Sequence, residues 1–201
     1  MRRVFLPILL LLFGCFACED GNLLEPELEI SPEMGRVPDA GGAKLVAVPF
    51  KADLSVWDHS NYSDTRCGGF PALYLTMRGS GEITHLGRIT TEMTFCCNVL
   101  SGRYWDTDVV FVAANGDELY GEIPEGWIVP NPGEDSDYYQ TMFDDPGVFT
   151  GGTGRFQGAS GEWMTNAWVH DDADGPEGPD EWRTDFFSTG TLILEKGKNH
   201  K

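Results

Sequence analysis

Several things are scarce in this chain. Helix signals are nearly absent, which argues against an α-helical bundle. Basic residues are few: 14 Lys plus Arg stand against 32 Asp plus Glu, a formal net charge of −18. That field repels nucleic acid and anionic lipid headgroups, so no nucleic-acid partner is expected. The acidity itself reads as a device for solubility. The apolar run VFLPILLLLF, residues 4–13, is ten residues long, short of the about 20 that a membrane-spanning helix needs. Only five cysteines occur, and their spacing suits no four-ligand zinc site. The histidines His59, His85, His170 and His200 are scattered, which leaves the thiols without an evident basic partner for nucleophilic catalysis. There is no internal repeat.

The N-terminus has the order of an export signal: a basic start, the apolar run, then small residues. Leu12-Phe13-Gly14-Cys15 resembles the lipobox of bacterial lipoproteins, with Cys15 as the lipid attachment site. Cys18, preceded by Ala17 and followed by Glu19-Asp20, is the alternative. Acidic residues after the lipidated Cys resemble a surface-export signal of Bacteroidota-type lipoproteins. The resemblance implies a signal peptide at 1–14 and an outer-membrane lipoprotein of the cell envelope, held to the membrane by its N-terminal lipid. Removing residues 1–14 removes two arginines and no acid, so the charge falls from −18 to −20. The lipid, not electrostatics, then makes the membrane contact. Residues 15–43 carry prolines, acids and little periodicity, and read as a flexible tether.

From residue 44 to 197 the pattern is one all-β domain. Twelve prolines and 25 glycines suit a chain with many turns. Val46, Val48, Phe50, Ala52, Leu54 and Val56 alternate onto one face. Leu73, Leu75 and Met77 share a face, as do Ile89, Met93, Phe95 and Cys97. Asn115-Gly116-Asp117 marks a hairpin between two further strands. Six or more antiparallel strands in one chain close into a sandwich or barrel, because open edges invite aggregation.

The stretch GGTGRFQGASG narrows that choice. Its glycines permit a sharp turn, and Phe156 reads as an apolar plug beside close backbone approach. Gly151, Gly152, Thr153, Gly154, Phe156, Ala159 and Gly161 match the motif of the allene oxide cyclase and dirigent barrels, which this stretch resembles. The resemblance implies a single antiparallel β-barrel of about eight strands with an apolar cavity. Members of that family cyclise an unsaturated fatty-acid epoxide or guide phenolic radical coupling. Their polar pocket residues have no counterparts identifiable in this chain, so no catalytic residue is transferred.

Three sets of candidate residues remain. Export favours a disulfide, from Cys67 to Cys96 or to Cys97, since Cys96 and Cys97 point to opposite faces of one strand. The loop HDDADGPEGPDE partly echoes an EF-hand, with Asp172, Asp174 and Glu181 at ligand positions. His170 in first place, two prolines and the lack of flanking helices favour a solvated acidic loop over calcium, and no other cofactor is expected. Trp127, Tyr138, Tyr139 and Trp182 lie in or beside two acidic loops. They either form a rim that stacks on an apolar or glycan ligand or cap the core. The inward faces are mostly aliphatic. The expected function is therefore a non-catalytic binding or structural module, with a cyclase or isomerase acting in the barrel as the alternative.

Overall fold

The computed structural model describes residues 44–172 and 181–196, all in one compact unit spanning 41–201. The signal, the tether, Cys15, Cys18 and Asp174 lie outside the described residues. Among the described residues no helix is long and apolar enough to cross a membrane.

The first half of the unit is a run of long strands: β1 (Lys44–Asp58), β2 (Ala72–Ile83), β3 (Gly87–Asn98), β4 (Arg103–Ala113) and β5 (Glu118–Trp127). Five shorter strands follow, β6 (Val129–Pro130), β7 (Thr141–Phe143), β8 (Pro146–Gly152), β9 (Ser160–Met164) and β10 (Ala167–Asp172), and then the long β11 (Glu181–Lys196). Each pairs antiparallel with its neighbour, and β11 returns to pair with β1 from Lys44↔Lys196 to Trp57↔Arg183. The result is a closed eight-stranded antiparallel barrel. Closure leaves no long free edge.

Eleven strands make eight staves because three staves are interrupted. β7 and β8 hold one register against β9 and β10, with Val148 opposite Glu162 and Thr141 opposite Val169. Asp144 and Asp145 interrupt the first of these staves. Likewise β5 and β6 run as one stave on the other side of β7 and β8.

Alternation decides what faces inward. Phe50, Ala52, Leu54 and Val56 are buried, while Lys51 and Asp53 are exposed. The β4–β5 hairpin turns at Asn115-Gly116, with Gly116 at φ +85°. The glycine-rich stretch lies at the barrel end where β1 begins and β11 ends. A short 3-10 turn, Gly154–Phe156, drops the Phe156 ring into the barrel, where it is completely buried. Two glycines make this possible. Gly154 sits at φ +53°, and Gly161 sits at φ +120° with the Thr191 carbonyl only 2.1 Å from where a Cβ would lie.

Above Phe156 the barrel is filled. Phe50 meets Phe149 edge-on at 4.9 Å, and Phe149 meets Trp163 at 4.7 Å. Phe111 completes the layer, with Leu119 and Leu192 fully buried around it. A void of about 20 Å³ lies beside Phe50, Phe111 and Trp163.

Candidate functional site: an apolar cavity at the open end

The other end of the barrel is not filled. A cavity of about 270 Å³ lies among Leu75, Met77, Met93, Phe95, Tyr104, Ile123, Phe143 and Phe186. β2 and β3 supply its thioethers and aliphatic groups through strict alternation. Tyr62, Val99, Gly102, Thr141 and Trp182 stand at its margin. Tyr62 and Trp182 are about half exposed, so the cavity opens between aromatic side chains.

Polar groups in the wall are few, and β4 supplies two of them. Asp106 takes φ +52°, and the β3–β4 register shifts here. That bulge breaks the alternation, so Tyr104 and Thr107 are both buried in the interior although three positions apart. Tyr104 donates its hydroxyl proton to Asp145 Oδ2 at 2.8 Å. The same oxygen accepts the Trp127 backbone N–H at 3.2 Å. Asp145 thus fills the gap in the β5 pairing with its own side chain. Gly126 leaves the room, since a Cβ there would lie 2.3 Å from the Tyr104 hydroxyl. Burial and the bond to Asp145 push the Tyr104 phenol far above its ordinary range, so it stays protonated.

The cysteines separate by face. Cys67 and Cys96 are joined by a disulfide with Cα atoms 5.7 Å apart, which ties the 59–71 loop to β3. Cys97 points the other way, into the cavity wall, as a free buried thiol. Burial pushes that thiol up to about 11, which disfavours a thiolate nucleophile.

The four expected rim aromatics do not converge. Trp182 borders the cavity mouth, while Trp127 is exposed at the end of β5 and does not line it. Tyr138 and Tyr139 sit on the outer wall of the barrel, because the loop 131–140 folds back along β10. The Tyr138 ring stacks on His170 at 4.5 Å, and Tyr139 donates its hydroxyl to Asp185 Oδ2 at 2.9 Å. Asp185, 4% exposed, also accepts the Ser55 hydroxyl at 2.5 Å and Arg183 Nε–H at 2.8 Å. This outward-facing network is a clasp for the loop. Burial and the Asp185 bond push Tyr139 up to about 12. Phe143, the other aromatic of that region, is buried in the cavity wall.

Sequence reading missed Tyr104 and Thr107 as cavity groups, and Asp145 as the partner of the Tyr104 hydroxyl. The available signal was negative: RYWDTDVV fails to alternate where the rest of β4 does. A second, shallow groove of about 480 Å³ lies over exposed Ser80, Glu82, Arg88, Thr90 and Ala114, and is a surface depression without converging groups. Among the described residues no group of three or more His, Cys, Asp or Glu is placed to hold a metal ion. Asp172 and Glu181 pair across the base of the β10–β11 hairpin, and the loop between them, with the calcium reading it carries, lies outside the described residues. No model of a known protein family matches the chain, and no curated protein matches it either.

Proposed function

We propose that this protein is a non-catalytic cell-envelope lipoprotein whose barrel binds a small apolar molecule in its open end. The observation that carries the reading is the half-hollow interior: an apolar cavity of about 270 Å³ above a fully packed floor. Small-molecule sites are concave, mostly apolar and largely pre-formed. The walls match an aliphatic or aromatic ligand, and the exposed Tyr62 and Trp182 rings at the mouth suit its entry. The likeness of residues 151–161 to the allene oxide cyclase and dirigent barrels agrees with an apolar ligand. A glycan is less well matched, because the aromatics that would stack on it are spread between the mouth and the outer wall.

The cyclase or isomerase reading has one observation behind it, the Tyr104 phenol in the cavity wall with its bond to Asp145. Against it, the phenol proton is already committed to Asp145, the cavity thiol is held neutral, and the lining carboxylate of Asp58 is taken up by the Tyr62 hydroxyl and the Ser60 backbone N–H.

Titration with the fluorophore 1-N-phenylnaphthylamine tests the binding reading. Saturable one-site binding is expected, lost when Met93→Trp fills the cavity and insensitive to soluble oligosaccharides. Absence of saturable binding, or displacement by oligosaccharides, contradicts it. Envelope attachment is a separate test. Mass spectrometry of the membrane fraction should find an acylated peptide starting at Cys15 or Cys18, and a product cut elsewhere would refute the anchor.

A further inference from the structure

Thr107 is 4% exposed, and its Oγ1 has no hydrogen-bond partner. Native proteins leave few such groups, and each calls for a physical reason. Of the buried polar side-chain atoms without a partner among the described residues, only this one belongs to a residue of the cavity wall. The chain also carries backbone strain to put it there. Asp106, at φ +52°, occupies the left-handed region that non-glycine residues rarely adopt. Strict alternation would send either Tyr104 or Thr107 to the outer face. The bulge at Asp106 turns both inward.

The geometry points to a ligand with an apolar body and one hydroxyl or carbonyl oxygen, read by the Thr107 hydroxyl. This rests on the cavity reading above and names the class of molecule that the cavity takes. Leu75, Met77, Met93, Ile123 and Phe186 offer only dispersion contacts, and Asp58 and the Tyr62 hydroxyl, which also line the cavity, are bonded to each other. A threonine hydroxyl both donates and accepts, so it pairs with an alcohol or a carbonyl. One χ1 step carries the hydroxyl to the position the methyl had held, which lets the group turn to meet an arriving ligand. Tyr104 does not compete for this role as a donor, because its proton goes to Asp145. A ligand without the oxygen leaves the Thr107 hydroxyl unpaired, and such a mismatch discriminates more strongly than a change in apolar bulk.

The test uses the full chain, with bound 1-N-phenylnaphthylamine displaced by 1-octanol or by octane. In Thr107→Val, octanol should compete about tenfold more weakly than in the unaltered protein, the loss of one hydrogen bond in an apolar site. Octane should compete equally well in both. Thr107→Ser should restore octanol binding. Thr107→Val should also melt no lower than the unaltered protein, since the methyl removes an unpaired buried group; this shows that it folds. Equal weakening of both competitors would make Thr107 a mere wall residue and overturn the proposal while leaving the cavity reading intact. No change for either would mean that the hydroxyl meets only a resident water, and would also overturn it. Failure of the fluorophore to bind the unaltered protein removes the cavity reading and this inference together.

Discussion

The two ends of the barrel are built from the same staves and behave oppositely. At the closed end, Phe156, Leu119 and Leu192 are fully buried, and the void beside Phe50, Phe111 and Trp163 is about 20 Å³. At the open end, shorter or more flexible side chains such as Leu75, Met77 and Met93 stop short of one another and leave about 270 Å³. The difference lies in aromatic placement. Phe50, Phe111, Phe149 and Trp163 converge from four strands into one layer. The rings of the open end, Phe95, Tyr104, Phe143 and Phe186, follow one another edge to face along the wall. Close packing therefore stabilises one half, and the other half retains space for a guest.

The sharpest way to break this comparison is to open the closed end. Phe156→Ala should cost about 3–5 kcal/mol by chemical denaturation, because a fully buried ring leaves a cavity in rigid surroundings. A loss under about 1 kcal/mol would mean that the floor is not packed as described. Reducing the Cys67–Cys96 disulfide comes next. It closes a loop with a sequence separation of 29, worth about 3.6 kcal/mol by chain entropy. Hydrogen exchange should then speed up at residues 59–71 and leave the closed end protected. Gly161→Ala should cost about 2 kcal/mol, since the residue sits at φ +120° against the Thr191 carbonyl.

Enlarging side chains sharpens the contrast. Ala113→Leu, at the closed end, should cost about 1–3 kcal/mol by overpacking, whereas Leu75→Phe, facing the cavity, should cost under about 1 kcal/mol. A pH-dependent effect concerns Cys97. Burial raises its thiol from 9 to about 11. The unfolded thiol therefore ionises first, and the stability present below about pH 9 is lost as the pH rises toward 11. Cys97→Ala should show a shallower fall over that window, measured by denaturation at several pH values.

Much of the barrel was legible because alternation reports facing. The buried set on β1, the cavity-facing Leu75 and Met77, and the Asn115-Gly116 hairpin all follow from period two and turn chemistry. Facing does not report filling. Leu75 and Leu54 read alike in sequence, yet one borders a cavity and the other lies in packed core. That depends on how distant strands bring their rings together. Tyr104 and Thr107 were hidden by the bulge at Asp106. Tyr138 and Tyr139 were misplaced for a different reason. Outward residues such as Ser55, His170 and Asp185 look like solvent-facing groups until the 131–140 loop is seen to cover them.

The central claim is a floor that is full and a mouth that is hollow and open. A crystal structure of the protein soaked in an apolar guest, xenon or 1-N-phenylnaphthylamine, tests it most directly. The account predicts guest density between Leu75, Met93, Tyr104 and Phe186, and none among Phe50, Phe111, Phe156 and Trp163. Density in the lower layer, or side chains closing the upper space so that no guest enters, would contradict it.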